Sequence, residues 1–173
     1  MIISLLNHIE TVNHPIQIRS VKNFINLTYR KFKSIFDTLY FKVDYKIIIN
    51  EMDKDANTLA FNVNSEITFN IHTINRMLSL LDTIKAQETF LTLLVLHEMS
   101  HSIVKMEEGC YEDVYESYVN KFAINMLTER SEYNYHDIEN SVKRMTYLNN
   151  GKSDSEKKVY AAIKSTLLFS IKM

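Results

Sequence analysis

Leu93-Leu94-Val95-Leu96-His97-Glu98-Met99-Ser100-His101 is the segment around which the rest of the chain is organised. A helix turns once in about 3.6 residues, so two side chains four apart lie on one face, one turn apart. His97 and His101 can therefore aim their imidazoles at one point. Phe90, Leu93 and Leu94 precede them on the same face, within a helix that is apolar nearly all round. Such a helix is buried, and two buried imidazoles need partners. Zinc accepts two imidazoles and leaves room for a third ligand and a water. Glu98 lies on the adjoining edge, where its carboxylate can accept a proton from that water as general base.

A third ligand is required. No histidine follows at short spacing; the next is His136. The acidic candidates are Glu107, Glu108, Glu112, Asp113 and Glu116. Glu116 is the best placed, inside the helix that follows the turn at Gly109, from which it can face back toward the histidines. Asn120 and Ala123 continue its stripe. Ala123 permits close helix approach, and Asn120 can orient a ligand imidazole. Glu112 and Asp113 fall in the first turn of that helix, where acidic residues are common because they suit the helix N-terminus.

Outward from this segment, a helix is expected from about Ile16 to Tyr40, started by Pro15 and striped by Ile18, Val21, Ile25, Tyr29, Phe32 and Phe36. Arg30, Lys31 and Lys33 on it read as a solvated face. Val43, Tyr45 and Ile47, then Leu59, Phe61 and Val63, then Ile67, Phe69 and Ile71 alternate with other residues, as strands do. The last two form a hairpin about Asn64–Ser65, giving a sheet of about three strands. Strand Ile67–Ile71 is expected at the sheet edge. Helices resume from about Thr73 to Met106, broken near Asp82, and again from Tyr111 to Glu129. Two more follow: Asp137–Asn149, ended by Gly151, and a last one opened by the Ser153/Glu156 capping box. The order is α+β in one domain over 1–173: helices in 1–40, with a short first one at Ile2–Thr11, a sheet in 43–71, metal-binding helices in 73–130 and C-terminal helices in 137–172.

Composition narrows the function. Two glycines and one proline in 173 residues disfavour an all-β fold. A net charge of −1 without a basic block disfavours direct nucleic-acid binding or an anionic membrane. One cysteine, Cys110, excludes an internal disulfide and fits a reducing, cytoplasmic setting. The first ten residues lack the pattern of a signal peptide, and apolar runs such as Leu93–Leu96 are far too short to span a bilayer. Cys110 reads as a small packed residue, and His8, His14, His72 and His136 as ordinary surface or capping residues. Tyr111, Tyr115, Tyr133, Tyr135 and His136 follow the motif, where a donor to a developing oxyanion is needed; the sequence does not choose among them.

His97-Glu98-x-x-His101, followed by Glu116-Ser117-Tyr118-Val119-Asn120-Lys121-Phe122-Ala123-Ile124-Asn125-Met126-Leu127, resembles the ImmA/IrrE family of metallopeptidases over roughly residues 16–130. Val119 stands where that family usually has alanine and Tyr118 where a second glutamate is common. The resemblance implies a zincin-like fold of gluzincin type, with a small three-stranded sheet packed on a mostly helical domain. It implies Zn2+ held by His97, His101 and Glu116, with Glu98 as catalytic base. It also implies cleavage of an intracellular protein partner, typically a repressor encoded by a phage or mobile element. The rival expectation is a zinc-stabilised sensor or protein-binding module without turnover, for which a carboxylate at Glu98 has no use.

Overall fold

A computed structural model describes residues 18–39, 44–50, 59–79, 81, 83–129 and 138. Helix α1 (Ile18–Leu39) buries Val21, Ile25, Thr28, Phe32 and Phe36, one stripe at spacings of three and four. Leu27 and Leu39 lie off that stripe and are exposed. The basic cluster on α1 is not uniformly solvated: Lys33 pairs with Asp37 at 2.8 Å and Asp44 at 3.2 Å.

Three strands follow: β1 (Lys46–Asn50), β2 (Ala60–Val63) and β3 (Glu66–Asn70). Asn64 and Ser65 both take positive φ, 51° and 64°, the pattern of a two-residue hairpin turn whose twist matches its strands. The sheet order is β1-β3-β2, with β1 parallel and β2 antiparallel to β3. The strand expected at the edge is therefore the central one. Thr68 and Asn70, which alternation assigns to an outward face, are 5% and 1% exposed. Ile48 and Phe61 are the register neighbours of Thr68 on either side. Period-two alternation reports which face of a strand is apolar; it says nothing about which strands lie beside it. Among the described residues the edges are β1 and β2.

Asn70 ends β3 and caps the next helix, α2 (Ile71–Leu78), accepting from the amides of His72 and Thr73 at 3.2 and 3.4 Å. Strand passes into helix two residues earlier than the pattern predicts. The expected break near Asp82 is present: α3 (Ile84–Ser100) starts at an N-cap Thr83, and Gln87 Nε2 donates to the carbonyls of Leu78 and Leu81, both at 3.1 Å, closing the corner. Every residue of α3 from Thr89 to Leu96 is buried. The helix packs against α1, β2 and the following helix, α4 (Glu112–Thr128).

Helix α3 stops at Ser100, not near Met106. Two of its final carbonyls accept from side chains elsewhere in the chain. Asn62 Nδ2 donates to Glu98 O at 2.7 Å, and the Tyr45 hydroxyl donates to Met99 O at 3.0 Å. Tyr29, stacked edge-on against Tyr45, donates to the Tyr45 carbonyl at 3.2 Å. Helix ends leave carbonyls that need donors, and here Asn62 of β2 and Tyr45, just before β1, supply two of them. No helix among the described residues is long and apolar enough to cross a membrane. The expected short first helix and the two C-terminal helices lie outside the described residues, apart from Ile138, which is fully buried.

Candidate metal centre

His97 occupies the last turn of α3 and His101 is its C-cap. One turn apart, their Nε2 atoms approach to 3.1 Å with the rings edge to face. The chain then turns through 107–110, where Gly109 adopts φ +81°, a conformation that favours glycine. α4 runs back along α3 and brings Glu116 between the imidazoles: Oε2 is 3.2 Å from His97 Nε2 and Oε1 3.8 Å from His101 Nε2. His97, His101 and Glu116 form a group able to hold a metal ion. Glu107, Glu108 and Glu112 are exposed and do not join it.

The donor set fits a small tetrahedral cation. Ligand bonds of about 2.0–2.1 Å place tetrahedral donor atoms about 3.3 Å apart; the two Nε2 atoms are 3.1 Å apart and Glu116 Oε2 is 3.2 Å from that of His97. The far sides of the rings are also committed. His97 Nδ1 lies 2.9 Å from Asn120 Oδ1, and His101 Nδ1 lies 3.1 Å from the Tyr115 hydroxyl. An amide oxygen only accepts, so His97 Nδ1 carries the hydrogen and Nε2 is left with a lone pair. Two such nitrogens and a carboxylate facing one another require a cation or a proton among them.

Electrostatics follow that crowding. Burial pulls the His97 pKa down, but the hydrogen bond with Glu116 and the charges of Glu98 and Glu116 outweigh it, so the value rises above that of an ordinary histidine. Burial and the neighbouring His97 lower His101 to about 4. Burial raises the Glu116 carboxyl, yet its bond to His97 and the two imidazole charges hold it below the usual range.

Glu98 differs from all three. It is 4% exposed, and its Oε2 has no hydrogen-bond partner among the described residues. Burial pushes its pKa up to about 7. A buried carboxyl oxygen without a partner is costly. A carboxyl that titrates near neutrality beside a metal-ligand cluster is suited to take up and release a proton.

The structure brings together His97, Glu98, His101, Glu116 and Asn120, all named from the sequence. Of the oxyanion candidates, Tyr111 is 78% exposed and Tyr115 is engaged behind His101; Tyr133, Tyr135 and His136 lie outside the described residues. His72 sits in the first turn of α2 and does not join the cluster. Cys110 is half-buried in the turn before α4. Sequence reasoning passed over Asn62 and Tyr45, which hold the carbonyls of the histidine-bearing turn; their partners lie 36 and 54 residues away, and no local pattern announces them. Comparison with protein-family models, characterised proteins and solved structures returns no significant match.

Proposed function

We propose that this chain is a zinc-dependent endopeptidase of the ImmA/IrrE type, cleaving a protein partner inside the cell. The observation that carries the reading is the pairing of two kinds of group at the end of α3. His97, His101 and Glu116 converge on a point suited to a metal, and a buried, unpartnered Glu98 oxygen stands on the same turn. Bound zinc would supply Lewis acidity and lower the pKa of water toward about 7. Glu98, whose burial favours its protonated form, accepts the proton of the attacking water and returns it to the departing amine. Asn120 keeps the His97 lone pair directed inward, and the sheet, through Asn62, fixes the height of the Glu98 turn. By resemblance, the partner is a phage or mobile-element repressor in the cytoplasm. The test is metal analysis of purified protein before and after chelation, beside cleavage of candidate partners. Zinc retention without any cleavage would favour the sensor reading.

The edge available to an extended substrate is β2, which adjoins α3. The Asn70 amide donates to Leu59 O at 2.9 Å, so alternation directs the Phe61 and Val63 main chain toward β3 and that of Ala60 and Asn62 outward. A peptide pairing there takes main-chain hydrogen bonds from Ala60 and Asn62. Ala60→Pro removes one outward donor and leaves the ladder to β3 intact. It is expected to raise KM several-fold, the equivalent of about 1 kcal/mol, with little change in melting temperature. Thr68→Pro, on the central strand, should instead unfold the protein. Equal effects of Ala60→Pro on folding and cleavage would remove β2 as the docking edge.

Metal affinity is expected to depend on pH. A metal takes the unprotonated imidazole, and His97 has a raised pKa, so protons compete with zinc from above the ordinary histidine value downward. Affinity should fall by about tenfold per pH unit once pH drops below the His97 pKa. His101 at about 4 and Glu116 below the usual range add further loss only in acid. Zinc titrations between about pH 5 and pH 8 would show it; constant affinity across that window contradicts the ligand assignment.

A further inference from the structure

We infer that Tyr115 is a positioning residue for His101: its phenol sets which ring nitrogen carries the hydrogen and turns the other toward His97 and Glu116. This rests on reading His101 as a metal ligand. The phenol oxygen lies 3.1 Å from His101 Nδ1, 3.1 Å from Val104 O and 3.4 Å from His101 O. A carbonyl contact needs the phenol hydrogen because a carbonyl cannot donate, whereas the imidazole can supply the hydrogen for its own contact; all three contacts are best served with the phenol hydrogen on the nearer carbonyl, that of Val104. The phenol oxygen then has only lone pairs to offer, and His101 Nδ1 must donate to it. A neutral imidazole carries one ring hydrogen, which leaves Nε2 as a bare lone pair facing His97 and Glu116.

The need for such a hold follows from where α3 ends. His101 is the C-cap, outside the last helical turn, so the helix by itself does not confine its ring as it confines His97. Tyr115 supplies confinement twice. Its ring lies against the imidazole at 5.5 Å between centroids, tilted 45°, and its hydroxyl ties the segment after His101 to α4 through Val104. One helix thus carries Glu116, the partner of His97 at Asn120 and the partner of His101 at Tyr115. Metal-binding histidines depend on such partners for tautomer and ring orientation, and losing one typically costs about 10–100-fold in metal affinity.

The experiment compares wild-type protein with Tyr115→Phe and, on the exposed side of the same helix, Tyr118→Phe. Zinc affinity is measured against a competing chelator, and the His101 tautomer is read by nitrogen NMR of the labelled metal-free protein. Tyr115→Phe is expected to weaken zinc about 10–100-fold at unchanged helicity, and Tyr118→Phe to leave it unchanged. Wild-type His101 is expected protonated on Nδ1, with that preference lost in Tyr115→Phe. Unchanged zinc affinity in Tyr115→Phe, or a wild-type His101 protonated on Nε2, overturns the inference. If Tyr115→Phe fails to fold, the wild-type tautomer decides. Failure of the wild type to bind zinc overturns the proposed function, while the tautomer, which needs no metal, still tests the Tyr115 contact.

Discussion

Glu98→Gln is expected to keep zinc bound and to lower cleavage by about 10²–10⁴-fold, the range for losing a general base. Glu98 adjoins the two imidazoles without being one of the converging ligands, so the donor set survives the change. The amide has the shape of the carboxyl but is not a base that can accept the proton. Folding supplies an independent check. Burial raises the Glu98 pKa to about 7 from an ordinary 4.5. A group whose folded pKa is raised contributes stability that is fully present below its unfolded pKa and is lost as pH rises through the folded value. Relative to Glu98→Gln, metal-free wild-type protein should therefore lose stability as pH rises from about 4.5 through about 7, because this carboxyl must ionise in place; His101, lowered to about 4, contributes in the opposite sense in both proteins. Thermal melts across that range, beside zinc content and a cleavage assay, separate the outcomes. Cleavage at the wild-type rate in Glu98→Gln would end the proposed mechanism, whatever happens to the metal.

Glu116→Ala should weaken zinc by at least about tenfold, because a direct donor is gone where losing a partner behind a ligand alone typically costs about 10–100-fold. It should also let the His97 pKa drop, since the bond and charge of Glu116 hold it up, and Glu98 should ionise more readily without that neighbouring charge. Glu112→Ala is the control, one turn earlier on the same helix and exposed, with Asp113→Ala beside it; both should leave affinity nearly unchanged. Isothermal titration of zinc into the three variants decides it. Retention of zinc by Glu116→Ala together with its loss in either control would show that α4 presents a different carboxylate to the histidines.

Much of the site was legible in the sequence because helices repeat locally. A spacing of four put His97 and His101 on one face, and the same arithmetic put Glu116, Asn120 and Ala123 on one stripe of the helix after Gly109. The hairpin was legible for a similar reason, since alternation marked β2 and β3 and Asn64–Ser65 marked the turn between them. What the sequence did not contain is lateral and long-range. Alternation assigns faces but not neighbours, so β3 read as an edge until β1 was found paired beside it. Helical pattern continued past Ser100, and only the arrival of Asn62 and Tyr45 at the carbonyls of Glu98 and Met99 accompanies the stop there, leaving His101 as a cap. Tyr115 was one of several aromatic residues after the motif; its place behind His101 exists only because α4 folds back onto the end of α3. The sequence by itself determined which groups share a helix face, because that depends on residues a few positions apart. The tertiary structure decided which faces meet, where α3 ends and which side chain holds which ring, because those depend on hydrogen bonds between atoms that only folding brings together.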